Sequence, residues 1–322
     1  MGFLFFNLRL MQSSVLDSLE YCGKCLIPSL GPFVVMTKVG CGLLSGYRPE
    51  NKLQKGFSKY FTIVILGWLG GYPLGAAQAF ALAERDEDVT DIVSVSSCAG
   101  VGFVVGAVGG YLCQSLVFGT CLYLFQILAT SYCFLCRKTN AENCALGKNT
   151  CDKINKRDVV QLFVSSVRDS VNVVLTICAF SIVFSLVSDF LATILTFDFS
   201  NEIIRTIFEF SSGAVMAWQY LPVPLSYFCI GFAVGFGGLS VHAQILALAD
   251  GHIVRYWSFL LFKLMIGMLC GAYSVLFFVR RWLGVFLLFA LAALIALVFL
   301  KYVSLFKVKK QKKCRRNTKI MI

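Results

Sequence analysis

Apolar residues fall at positions 8, 11, 15, 19, 22 and 26, with Arg9, Gln12, Ser13, Asp17, Glu20 and Lys24 on the other side. That spacing predicts a helix with one apolar face, lying along a membrane surface. Residues 25–45 are apolar but interrupted by Pro28-Ser29-Leu30-Gly31-Pro32. Two prolines around a glycine stop a helix, so a re-entrant hairpin of two short helices is expected there. The apolar run 60–83 is interrupted at Gly70-Gly71-Tyr72-Pro73-Leu74-Gly75, which predicts a glycine-broken span. Residues 92–112 and 113–136 read as two further spans, with a tight turn at Gly109-Gly110. A polar loop at 137–157 marks the middle of the chain.

The order then resumes. Ser165-Ser166-Val167-Arg168-Asp169-Ser170-Val171 echoes Ser13-Ser14-Val15-Leu16-Asp17-Ser18-Leu19, and an apolar stripe recurs at 160, 163, 167, 171 and 174. A second broken run at about 221–249 holds Gly231-Phe-Ala-Val-Gly-Phe-Gly-Gly-Leu-Ser-Val-His-Ala-Gln244, followed by apolar runs at 256–279 and 283–303. Ala243-Gln244 matches Ala77-Gln78, each a few residues past a diglycine. The expected fold is an all-α polytopic membrane protein of two inverted repeats. Each repeat has a surface helix, a re-entrant hairpin, a glycine-broken span and an intact span. Residues 1–136 form the first repeat with its connecting span, 137–157 the polar loop, 158–303 the second repeat with the final span, and 304–322 a basic tail.

Composition agrees with a membrane protein: 58% of the 322 residues are hydrophobic and 14% charged, against about 25% charged in soluble domains. The net charge of +12 sits in loops and the tail, where Lys307, Lys309, Lys310, Lys312, Lys313, Arg315, Arg316 and Lys319 are clustered. A basic tail after a final span places the C-terminus in the cytoplasm of a multi-pass cell-membrane protein. The bilayer is thus the expected partner and nucleic acid is not. No basic n-region precedes the first apolar residues, so no cleavable signal peptide is expected. Most of the 14 cysteines lie within apolar runs. Cys133 and Cys136 form the one CxxC pair, and a metal site wants paired spacings, so neither metal nor cofactor is expected.

Charge also suggests sidedness. Loop 47–59 is basic (Arg48, Lys52, Lys55 and Lys59 against Glu50), while loop 84–91 is acidic (Glu84, Asp86, Glu87, Asp88 and Asp91 against Arg85). With the first inside and the second outside, the second half starts outside and runs inverted, and its broken span crosses inward. The same scheme leaves the basic loop 137–157 outside.

No catalytic constellation is visible: His242 and His252 are the only histidines, neither beside a carboxylate and a nucleophile, and there is no phosphate-binding P-loop. The chain is not expected to be an enzyme. A broken span instead exposes backbone N–H groups where its second half-helix begins, and those amides attract anions. Interrupted segments at corresponding positions point to a transporter site. The candidate substrate-binding residues are Gly71, Pro73, Gly75, Gln78, Ser97, Gly237, Gly238, Ser240, His242, Gln244 and Lys263. The glycines permit close backbone approach, or tight helix packing. His242 reads equally as a ligand contact or an inter-helix hydrogen bond. Ser96-Ser97-Cys98-Ala99-Gly100 lines the same cavity, or packs tightly. Lys263 either snorkels to the interface or is a cavity cation that balances an anionic substrate. Asp169 and Asp189 are expected to face water.

On Gly67-Trp-Leu-Gly-Gly-Tyr-Pro-Leu-Gly-Ala76, Gly235-Phe-Gly-Gly-Leu-Ser-Val-His-Ala-Gln244 and Ile27-Pro-Ser-Leu-Gly-Pro-Phe33, the chain resembles the sporulation integral membrane protein YlbJ family, also called stage V sporulation protein V. The resemblance covers residues 13 to 280. It implies a nucleoside-recognition Gate domain, similar to parts of concentrative nucleoside transporters. It also implies a role in endospore formation, an outer forespore membrane location, and transport of dipicolinate. Cys98 and Val101 stand where the family carries Asn and Pro, which bears on substrate identity. The expected function is transport of a small organic anion, with dipicolinate the candidate. The alternatives are a nucleoside or cation carrier on the same scaffold, or a non-transporting sporulation scaffold. A homo-oligomer is compatible with each.

Overall fold

The computed structural model describes residues 8–45, 63–83, 86–136, 158–195, 197, 199–249 and 251–295. The expectations for loops 47–59 and 137–157 and for the tail at 304–322 lie outside the described residues. Everything named as an element is helical, and four helices are long and apolar enough to cross a membrane: Leu116–Leu135, Val160–Ile194, Leu225–Ala247 and Tyr256–Val279.

The chain opens with one continuous rod: α1 (Leu8–Tyr21), a π turn (Cys22–Leu26) and α2 (Ile27–Ser45). The hairpin expected at 25–45 is absent. The Ile27 N–H bonds back to the Cys22 carbonyl across the wide turn, just ahead of Pro28. A π turn relieves the clash between a proline ring and the preceding turn, so the helix runs on, with Pro32 inside it. Its partner is α8 (Asp158–Ile194), a single helix of 37 residues where a surface helix and a second hairpin were expected. At about 1.5 Å per residue, each rod exceeds a hydrocarbon core about 30 Å thick. The rods are antiparallel. Ser14 donates to Asp189 near one end, and Lys38 meets Asp169 at 3.8 Å near the other.

Their packing inverts the soluble pattern. Ser14, Ser18, Ser166, Ser170, Ser181 and Ser185 are buried, while Leu16, Leu19, Val160, Phe163, Val167 and Val171 face outward. Small polar residues bring the rods together and the large apolar ones face outward, the arrangement that membrane helices prefer. This corrects the surface-helix reading of the second stripe, which lies in a helix long and apolar enough to cross a membrane. Asp189, expected to face water, is drawn into the packing with Arg205 and Ser14.

Residues 60–83 do not form a span. α3 (63–70) descends beside α2, with Gly40 near Leu66 and Gly70 against Thr37. The chain turns at Gly71–Pro73, and α4 (Leu74–Leu82) returns. A Cβ on Gly67 would stand 2.9 Å from the Gly75 Cα. In a continuous helix those residues lie about 12 Å apart. The first glycine motif thus forms a helical hairpin where a broken span was expected. A second hairpin joins α9 (Ser200–Phe208) and α10 (Phe210–Tyr220) through Glu209. There a Cβ on Gly213 would stand 2.7 Å from the Thr206 nitrogen.

The helix pairs that follow each hairpin are the broken ones. α5 (Thr90–Ser96) stops at residues 97–100, and α6 (Gly102–Leu112) continues with π winding. α11 (Leu225–Phe236) stops at Gly237, and α12 (Gly238–Ala247) continues. Each is followed by an unbroken helix packed antiparallel to it. α7 (Leu116–Cys136) holds Gly119 against Gly109, and α13 (Tyr256–Val279) holds Gly267 against Gly235. α14 (Arg281–Ile295) then folds back on α13, with Gly284 against Phe277.

These turns overturn the sidedness drawn from charge. The first hairpin leaves by the face it entered, so residue 63 and Leu82 share that face. Two loops meet there. Asp86 donates its N–H to the Gly251 carbonyl at 2.9 Å, Ile253 to Glu87 at 3.0 Å and Val89 to Ile253 at 3.1 Å. Arg255 pairs with Asp88 at 2.8 Å. The acidic loop and the loop after the second broken crossing therefore lie on one face, not on opposite ones.

Candidate functional site

Both hairpin tips and both breaks converge in the middle of the bundle, and glycine makes this sterically possible. Gly71 has φ +80° and lies on Gly100, where a Cβ would come within 2.6 Å of the Gly100 nitrogen. Gly67 and Gly75 both press on the Ser96 carbonyl. Gly237 has φ +85° and faces the Tyr72 ring, 2.8 Å from where its Cβ would be. Gly238 has φ +70° and lies on the Phe210 nitrogen, also at 2.8 Å. The first tip thus touches both breaks, and the second tip touches the second break. A left-handed φ disfavours any L side chain by about 1–2 kcal/mol, before the clashes are counted.

A break leaves carbonyls without helical partners, and side chains from other elements reach them. The Gln126 Nε2 donates to the Val234 carbonyl at 3.3 Å, and the Tyr72 hydroxyl approaches the same oxygen at 3.5 Å. Lys263 Nζ donates to the Ser97 carbonyl. His242 Nε2 lies 3.1 Å from the Phe236 carbonyl. The His242 ring packs against Phe236 and Phe259, with centroids at 4.8 and 4.9 Å.

Lys263 is the central charge. It is fully buried at 0% exposure, so it does not snorkel. Its ammonium sits 5.4 Å from the Tyr72 ring centroid and 5.8 Å from that of Phe259. Among the described residues no carboxylate pairs with it, and the Ser97 carbonyl is its one hydrogen-bond acceptor. On the elements that meet here, several buried polar atoms lack hydrogen-bond partners: Ser96 Oγ, Ser97 Oγ, Gln126 Oε1, Ser240 Oγ, His242 Nδ1 and Gln244 Oε1. Buried polar groups are normally hydrogen-bonded, so six orphans on the converging elements make this the candidate site.

The sequence candidates divide accordingly. Gly71, Pro73, Gly75, Ser97, Gly237, Gly238 and Lys263 come together at the tips and breaks. Ser240, His242 and Gln244 lie buried on the first turns of α12. Gln78 is half-buried on the returning arm of the first hairpin. Sequence reasoning missed Tyr72 and Gln126. It also missed Glu209, which is 1% exposed at the second tip. Its carboxylate accepts from Ser211 N at 3.3 Å, Ser211 Oγ at 2.7 Å and Ser212 N at 2.6 Å. The available signal was a lone acid in an otherwise apolar stretch.

Fold and site together define a protein whose described residues are helical, with four helices long and apolar enough to cross a membrane and a buried polar centre. No family model, curated protein or solved structure matches the chain.

Proposed function

We propose that the chain is a secondary carrier for a small organic anion, bound where the hairpin tips and helix breaks converge. The observation that carries this reading is Lys263: a fully buried ammonium without a carboxylate partner among the described residues. An uncompensated buried charge is costly, and an anionic ligand at that point relieves the cost. The free N–H groups at the start of α12, whose N-cap Gly237 offers no side chain, add donors for a carboxylate.

Two inverted repeats underlie this reading. The rod α1–α2 corresponds to α8, the hairpin α3–α4 to α9–α10, the broken crossing α5–α6 to α11–α12, and α7 to α13. The antiparallel rods support it, because the related Ser-Ser-Val motifs then point to opposite faces. So does a reciprocal contact: α7 donates from Gln126 into the break of α11–α12, and α13 donates from Lys263 into the break of α5–α6. In this arrangement Gly237 corresponds to residues 97–100 and Glu209 to Gly71. The diglycine at 70–71 and that at 237–238 are therefore not counterparts. The helices flanking segments 46–62, 137–157 and 296–322 all end toward one face, and the basic charge of those segments favours a cytoplasmic location for it.

The resemblance to the YlbJ family favours dipicolinate as the anion and a sporulation membrane as the site of action. Protein reconstituted in liposomes is expected to take up labelled dipicolinate, and Gly238→Leu to abolish uptake. Uptake that survives this substitution removes the site. Stabilisation by nucleosides but not by dicarboxylates replaces the anion with a nucleoside.

A further inference from the structure

Two buried acceptors limit what the anion can be. Gln126 of α7 is fully buried, and its Nε2 lies 3.3 Å from the Val234 carbonyl. A carbonyl oxygen only accepts, so the amide turns its nitrogen to Val234 and its oxygen away. Gln126 Oε1 is then a bare acceptor, and among the described residues no donor reaches it. His242 of α12 repeats the pattern. It is 1% exposed, and its Nε2 lies 3.1 Å from the Phe236 carbonyl. That carbonyl takes the Nε2 proton, which leaves Nδ1 of the neutral ring as a second acceptor without a donor among the described residues.

Both acceptors are tied to Lys263 by shared neighbours. The Val234 oxygen that orients Gln126 is also approached by the Tyr72 hydroxyl at 3.5 Å, and the ring of that tyrosine lies 5.4 Å from the Lys263 ammonium. One turn along α7 from Gln126, Thr130 Oγ1 lies 3.7 Å from the thiol of Cys98, next to Ser97, whose carbonyl holds Lys263. Phe259 ties in His242, since its ring centroid is 4.9 Å from that of His242 and 5.8 Å from the ammonium. The site thus combines one cation with two lone pairs that only a donor satisfies. A ligand made of acceptors alone meets the ammonium and leaves both lone pairs buried and unpaired, which is costly.

We infer that the anion carries hydrogen-bond donors of its own: it is a hydroxyl- or N–H-bearing carboxylate, with its carboxylate at Lys263 and its donors toward Gln126 Oε1 and His242 Nδ1. The inference rests on the anion reading of this site and narrows it. Fully ionised dipicolinate offers acceptors only, so a ring-hydroxylated relative is the better fit.

The test uses pairs of anions that differ by one hydroxyl: succinate against malate, and dipicolinate against 4-hydroxypyridine-2,6-dicarboxylate. Each is titrated against the melting temperature of the purified full chain in detergent, and the half-saturating concentration is read. In each pair that shifts the melting, the hydroxylated member is expected to half-saturate at about tenfold lower concentration. Gln126→Met and His242→Phe each remove one acceptor. Each is expected to bring the ratio toward one by weakening the hydroxylated member, and the second serves if the first does not fold. Equal half-saturation within the pairs overturns the donor requirement and leaves the anion reading standing. A ratio unchanged in both variants, with both members weakened alike, makes Gln126 and His242 packing residues and overturns the assignment. No shift with any of the four anions overturns the anion reading, and this inference with it.

Discussion

Gly75→Ala is a small perturbation with a large expected effect. Alanine favours a helix interior over glycine by about 1 kcal/mol, so a substitution on α4 that met nothing would stabilise the protein. Here the new methyl group meets backbone. Its carbon would stand 2.6 Å from the Ser96 carbonyl carbon and 3.0 Å from the Ser96 Cβ. Ordinary contact is about 3.5–4.0 Å, so α4 or α5 has to move by about 1 Å. Gly67 presses on the same carbonyl from the other arm, which leaves α5 little room to retreat. Overpacking of this kind costs about 1–3 kcal/mol, and more where backbone must shift. The expected net loss is about 1–2 kcal/mol after the helix preference is subtracted. Gly31→Ala on α2 is the internal control, because nothing lies within 4 Å of its Cβ position. It is expected to gain about 0.5–1 kcal/mol. Thermal unfolding followed by size-exclusion chromatography of both variants measures the contrast. A Gly75 variant as stable as Gly31→Ala refutes the hairpin packing, since an open broken span would accept the methyl group.

Other consequences follow from the same contacts. Arg205→Ala strands Asp189 in a mostly buried setting, and breaking a buried pair costs about 3–5 kcal/mol. The double replacement by leucine is expected to recover most of that in the same unfolding assay, and no recovery would show that the pair is not what holds this corner. Epitope tags inserted at residue 86 and fused after Ile322 are expected to be labelled from the same side of sealed vesicles, because the hairpin returns to its own face. Labelling from opposite sides restores the broken-span topology. Gly237→Ala is expected to lower stability through both its φ of +85° and its contact with Tyr72. Pairing it with Tyr72→Ala is expected to relieve only the contact share, which a double-mutant cycle measures.

The glycine motifs were legible in the sequence, but what they build was not. An apolar run with Gly-Pro in its middle describes a broken crossing and a helical hairpin equally well. The difference lies in whether its arms pack on each other, and at 63–82 that is decided by Gly67 facing Gly75, a tertiary fact. Pro28 and Pro32 misled in the other direction, because a one-turn change of winding absorbs what proline forbids in a regular helix. Charge misled on sidedness for the same reason. Counting 60–83 as a crossing reverses the segments up to residue 136, and not counting 158–194 as one reverses the later segments back. Ser240, His242, Gln244 and Lys263 were visible because polar groups inside apolar runs are conspicuous. Glu209 was equally conspicuous but lay outside any repeated motif, and Tyr72 and Gln126 gain meaning only from the carbonyls that the breaks expose.

The central claim is that Lys263 is there for an anion. A buried ammonium without a partner is a burden on the empty fold, so Lys263→Met is expected to melt at or above the wild-type temperature. The same variant is expected to lose the thermal shift that dipicolinate or a related dicarboxylate gives the wild type. Measuring both quantities on one preparation is the most direct test. A variant that melts lower and still shifts with the dicarboxylate would make Lys263 a packing residue and contradict the account.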